Sequence, residues 1–221
     1  MWKVRHVVKR LEPLSLSARY GVEKDASQIT NGDSMKQISI IFLAGVIALA
    51  FSSSSSQKIE NFTLNDYNGV PHSLAQYHSS PAIVLIFIST QCPVSNAYDE
   101  RMVSLYKEYS SRRVVFLGIN ANSQETAEDI KSHAQEHGFL FPILKDNDNV
   151  IADRLKAFVT PEVFVCDSSL TVLYHGRIDD SRRETDVTSR DLHSALDAIL
   201  SGKLIAAAET KAFGCSIKRK H

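Results

Sequence analysis

"AIVLIFISTQCPVS", Ala82 to Ser95, sets a cysteine between an apolar run and a proline. The run from Ala82 to Ile88 is continuous and rich in β-branched residues, the pattern of a strand buried on both faces of a largely parallel sheet. Pro93 suits a first helical turn, where its missing N–H has no intrahelical partner. Cys92 therefore stands at a strand-to-helix junction and faces the free amides and positive end of the helix. Such a position favours thiolate over thiol, lowering a cysteine pKa from about 8.5 into the range of roughly 3.5–7.5. The thiolate is the nucleophile of thiol–disulfide exchange. The competing reading is an inert, half-buried cysteine.

Outward from this stretch the chain alternates strands and helices. Tyr98, Met102, Leu105, Tyr106 and Tyr109 recur at helical spacing, and Arg113–Asn120 reads as a second buried strand. Ser123–Gly138 reads as a polar helix with Glu125, Glu128 and Asp129 at its positive end. "NVIADRLKAF" gives a shorter helix, and "EVFVCD" and "LTVLYHG" give two adjacent strands. Leu192, Ala195, Leu196, Ile199 and Leu200 form a closing amphipathic helix between a Ser189 cap and a Gly202 stop. Upstream, strand-like pieces flank the turn signal Asn68–Pro71. This order predicts a layered α/β domain.

The chain divides before that domain. Residues 1–34 show mixed charge and little hydrophobic period. Met35 and Lys36 then precede an apolar run, Ile38–Phe51, and the serines Ser52–Ser56. This is the layout of a secretory signal, shorter than the roughly 20 residues that span a bilayer. Cleavage after Ala50 or Ser52 would export the protein to the periplasm or outside the cell. An uncleaved signal-anchor is the alternative, and residues 1–34 would be an upstream extension. The expected division is 1–34 extension, 35–56 signal and linker, 57–205 folded domain and 206–221 tail.

Lys+Arg and Asp+Glu both number 25, which argues against a nucleic-acid partner. Three cysteines are too few for a disulfide scaffold. Cys166, inside an apolar strand, reads as a packed hydrophobe. Asn96 stands where a C-x-x-x-C copper pair would need its second sulfur. His133 and His137 are i,i+4 on the polar helix and could bind a metal, but no cysteine or acid visibly completes a set with them, so a solvated helix face and no metal are expected. "YHGRIDD", Tyr174–Asp180, either helps hold the tail and cleft or is a solvated turn. Cys215 follows Gly214 and precedes Lys218, Arg219 and Lys220. A tail beyond the last helix can return over the sheet end, with the basic residues favouring a thiolate; a free thiol on a frayed terminus is equally consistent.

Taken together, "FISTQCPVS" and "VTPEVFV" resemble the thioredoxin-like superfamily, in its redoxin (AhpC/TSA, TlpA-like) branch. More narrowly, "GINAN", "FPILKD", "TPEVFVCD", "YHGRIDD" and "TKAFGCSIK" are similar to a peroxiredoxin-like bacterial group. The resemblance covers Ile59–Lys218 and implies a three-layer α/β/α sandwich with a central mixed sheet. It also implies that Pro161 is cis and, with Thr160 and Ser95, shapes a substrate groove beside Cys92. The similar tail favours Cys215 as the resolving partner. Substrates would be protein or small-molecule thiols and disulfides, with electrons from a partner thiol protein and no cofactor.

The sequence departs from the pattern at two points. Ser95 replaces the second cysteine of C-x-x-C. The peroxidatic P-x-x-x-T-x-x-C fits neither frame: counting back from Ser95 meets Cys92 and Ile88, and from Cys92 meets Ser89 and Leu85. The expected activity is thiol–disulfide exchange, with a thiol peroxidase or a non-catalytic binding module as alternatives.

Overall fold

The computed structural model describes residues 57–220. The expected extension and signal segment lie outside the described residues. Among the described residues no helix is long and apolar enough to cross a membrane.

Five strands form the central sheet: β3 (Ile83–Phe87), β4 (Val115–Asn120), β5 (Ile143–Lys145), β7 (Glu162–Cys166) and β8 (Val172–Gly176). Their order is β5-β4-β3-β7-β8. β3 runs parallel to β4, and β4 to β5, whereas β7 is antiparallel to β3 and to β8. The mixed sheet follows from the connections: helical crossovers join β3, β4 and β5, and a tight turn joins β7 to β8.

Every residue of β3 and β7 is buried, as the apolar runs require of strands covered on both faces. Alternate side chains divide into two cores. Val84, Ile86, Phe116, Val163 and Val165 pack under α2 (Asp99–Ser110), α3 (Ala127–Glu136) and α5 (Asp191–Leu200). Ile83, Leu85, Phe87, Leu117 and Phe164 pack on the other face under α4 (Val150–Leu155) and Leu74. A hairpin, β1 (Thr63–Asn65) and β2 (Pro71–Ser73), precedes the sheet. Its turn is closed by the Asp66 carboxylate, which accepts the Asn68 and Val70 amides.

Three expected boundaries move. The helix expected from Ser123 begins at Ala127, because Thr126 and Asp129 form a reciprocal capping box there. Ser189 is not a helix cap; α5 starts one residue later than that expectation requires, and Ser189 Oγ bonds the Asp191 carboxylate instead. The helix after Cys92 is interrupted: α1 (Pro93–Asn96) is a single turn, and α2 begins at Asp99 after Tyr98.

Candidate active site

Cys92 lies beyond the C-terminal end of β3, in a loop Ser89–Cys92 that hands the chain to α1. Because β7 is antiparallel to β3, with Phe87 opposite Glu162, the residues before β7 arrive at the same sheet end. They are β6 (Val159–Thr160) and Pro161, joined by a cis Thr160–Pro161 bond as the resemblance implies. Cys92 Sγ lies 3.4 Å from the Thr160 carbonyl oxygen. The Ser95 backbone N–H donates to the same sulfur at 3.3 Å. With α1 only one turn long, this local amide, rather than the dipole of a long helix, is the visible support for negative charge on sulfur.

The loop beneath Cys92 is organised by a buried carboxylate. Glu125 accepts hydrogen bonds from Ser89 Oγ (2.6 Å), the Thr90 amide (2.8 Å), Asn122 Nδ2 (2.8 Å) and Asn120 Nδ2. Ser89 Oγ in turn accepts the Cys92 amide at 3.1 Å. Burial pushes the Glu125 carboxyl up, but the Ser89, Thr90, Asn120 and Asn122 bonds outweigh that and hold it below its ordinary value. From the sequence Glu125 reads as part of a helix start. The signal that separates it is the capping box at Thr126, which leaves the preceding residue in the loop after β4. Ser95 is fully buried, and its hydroxyl accepts the Ser89 amide at 3.2 Å, a bond internal to the loop.

The tail closes over this site. Beyond α5 it runs along β8, with His175 and Ala208, then Thr210 and His175, exchanging backbone bonds. Phe213 packs edge-on against the Tyr98 ring. Cys215–Ser216 forms β9, antiparallel to β6, with Cys215 opposite Thr160. Gly214 is required where the tail crosses the cis-proline loop, since a Cβ there would collide with the Thr160 carbonyl. Cys215 forms a disulfide with Cys92, their Cα atoms 5.8 Å apart across 123 positions of sequence. The tail is not frayed: Ile217 is buried, and Lys218 bonds Ser123 and Asn122 through its backbone.

Arg219 and Lys220 do not serve Cys215 as expected. Arg219 pairs with Asp153 and the Ala157 carbonyl, and Lys220 with Asp148, so their charge is directed to the α4 region. "YHGRIDD" is not a solvated turn. Asp179 is buried and accepts Tyr98 Oη at 2.8 Å and Arg101 at 2.6 Å, fixing the start of α2. Arg101 is fully engaged there, with the Ala97, Ser181 and Arg182 carbonyls as further acceptors. Cys166 is a buried free thiol whose pKa burial pushes up to about 12.

The histidine pair also departs from expectation. His133 is buried rather than solvated, and an acid does join the pair: Asp99, from the first turn of α2. Spacing could not reveal it, because Asp99 and His133 meet only through helix packing.

The model of the AhpC/TSA family matches residues 56–175, a span that ends before Cys215. A hypothetical protein from Sinorhizobium meliloti is 32% identical, with a TM-score of 0.70 over 75% of this chain and 94% of that one. A protein described as a DsbE thiol:disulfide interchange protein from Chlorobium tepidum is 17% identical, with a TM-score of 0.56 over 66% and 96%. Peroxidoxin BcpB from Mycobacterium tuberculosis is 22% identical, with a TM-score of 0.50 over 66% and 93%. Among curated proteins none matches this chain with significance. The buried mixed sheet, the cysteine loop beside a cis-proline and the matched span together say that the chain belongs to the AhpC/TSA family and has the thioredoxin-like redoxin fold.

Proposed function

We propose that this protein carries out thiol–disulfide exchange, with Cys92 as attacking thiolate and Cys215 as resolving thiol. The observation that carries the reading is the pairing of Cys215 with Thr160 while its sulfur bonds Cys92. The tail lies as an extended peptide against the cis-proline loop, the pose expected of a disulfide substrate held by main-chain bonds. In the reduced protein, Cys92 thiolate attacks a substrate disulfide, forming a mixed disulfide and releasing one substrate thiolate. Cys215 thiolate then attacks the Cys92 sulfur and releases the second. Two electrons pass to the substrate, and the Cys92–Cys215 disulfide remains for an external dithiol, such as a partner thiol protein, to reduce.

Reduction of an insulin-type disulfide by dithiol-recharged protein tests this. Cys92→Ser is expected to abolish turnover, and Cys215→Ser to accumulate a mixed disulfide at Cys92 detectable by mass. Equal turnover in the wild type and Cys92→Ser would defeat the reading. Hydroperoxide consumption dependent on Cys92, without disulfide turnover, would favour the peroxidase reading. An unreactive Cys92 thiol in both assays would favour a binding module. Export to the periplasm or outside the cell is proposed from the signal-like segment Met35–Ser56. N-terminal sequencing of exported protein checks it, and a mature chain that keeps Ile40–Phe51 would contradict cleavage.

A further inference from the structure

We propose that Asp99, His133 and His137 form a binding site for a divalent transition-metal ion, with zinc as the reference ion. This site is separate from the thiol chemistry and uses none of the cysteines.

His133 in the last turn of α3 and His137 at its C-cap are one helical turn apart and share a face. Asp99 comes from the first turn of α2. Its Oδ2 lies 3.1 Å from His133 Nε2 and 3.2 Å from His137 Nδ1. The three donor atoms are all within 4.8 Å of one another.

Distance alone does not separate an ion pair from a coordination set. Direction does. Neither Asp99 oxygen has a hydrogen-bond partner, although Asp99 is only 1% exposed. The ring nitrogens come close to the carboxylate without pointing an N–H along the line to it. The same protein shows what a hydrogen-bonded pair looks like: His175 Nε2 meets Glu162 at 2.7 Å in good alignment. A buried carboxylate normally accepts hydrogen bonds, so one that accepts none while two imidazoles crowd it is arranged to take a cation as its partner.

The spacing fits one. Ligands about 2.0–2.1 Å from a tetrahedral ion stand roughly 3.3–3.4 Å from each other. The two Asp–His separations, 3.1 and 3.2 Å, are close to that edge. Two imidazoles and one carboxylate suit zinc, iron, cobalt or nickel, whereas calcium and magnesium prefer oxygen throughout. Three protein ligands leave a further position for water or an anion. His133 is 8% exposed and packs against Phe139, which gives the site an apolar wall. A bound ion would join the start of α2 to the end of α3. α2 follows the Cys92 turn and α3 follows the Glu125 loop, so the ion would brace both supports of the active loop.

The test uses the untagged full chain, stripped of metal and kept oxidised so that Cys92 and Cys215 are not ligands. Cobalt(II) is titrated and followed by visible absorption, then displaced with zinc, and thermal unfolding is measured with zinc alone. The expectation is one saturable cobalt equivalent per chain, displacement by zinc and a higher Tm with zinc. His137→Ala, at an exposed position, is expected to lower affinity at least tenfold and to remove the Tm shift. Asp99→Asn is expected to do the same. His193→Ala removes a histidine that lies beside Glu108 and Asp197 elsewhere and is expected to leave binding unchanged. Wild-type protein without saturable binding would overturn the proposal and leave the trio an ion-pair cluster. Binding retained at wild-type affinity in His137→Ala would overturn it equally, whatever His193→Ala does. If Asp99→Asn fails to fold, His137→Ala decides the question alone.

Discussion

Reducing the Cys92–Cys215 disulfide is expected to cost the protein a large share of its stability. The bond closes a loop across 123 positions. In the chain-entropy treatment, a loop of that size restricts the unfolded chain by roughly 16–17 cal/mol/K, about 5 kcal/mol at 25 °C. A C-x-x-C bond closing about four residues would give only about 2 kcal/mol by the same expression. The native tail has anchors besides the disulfide, including the Thr160 pairing, Ile217 and the Lys218 backbone. The difference therefore arises mainly in the unfolded state. Guanidinium unfolding followed by far-UV circular dichroism, on oxidised protein, reduced protein and Cys215→Ser, gives the number. The oxidised form should be about 5 kcal/mol more stable, with a smaller m-value because its unfolded chain is cross-linked. A difference below about 1 kcal/mol, with the disulfide verified by mass, would refute the long-loop argument.

Three further outcomes are expected. Glu125→Gln removes a buried charged acceptor and should destabilise by about 2–3 kcal/mol while slowing Cys92 chemistry. Because the folded Glu125 carboxyl is held below its ordinary value, its contribution is present above that value and lost as pH falls through the lowered one. Denaturant midpoints measured across the acid range should therefore be flatter in Glu125→Gln than in wild type. Gly214→Ala forces the tail away from the Thr160 carbonyl, costing about 1–3 kcal/mol, and dithiol reduction of the disulfide should be roughly tenfold faster. A native oxidised protein should resist maleimide at neutral pH and take up one equivalent, at Cys166, only after unfolding.

The strands around the site were legible because burial on both faces leaves an unbroken apolar run, as in Ile83–Phe87 and Val163–Cys166. Cys92 was legible because strand, cysteine and proline occur in one short stretch. Thr160 and Pro161 were placed by resemblance, and the antiparallel β3–β7 register is the physical reason they meet Cys92. The register of the tail was not legible: β9 has two residues, too few for any period. Glu125 was not legible as a loop residue, because an acid near a helix start satisfies the dipole rule whether or not it belongs to the helix. Asp99 escaped for a different reason, since its histidine partners come from another helix and no local pattern records that contact.

The position of Cys215 in the chain also sets an order of events. Synthesis proceeds from the N-terminus, so Cys92 and all five strands of the central sheet exist before the partner sulfur does. Until Cys215 emerges, the only other sulfur that could pair with Cys92 in the chain already made is Cys166. Mispairing with Cys166 is blocked once β7 is seated between β3 and β8, where that sulfur is enclosed. Correct pairing therefore waits for Cys215, and a chain interrupted before it would carry Cys92 without the strand that pairs with Thr160.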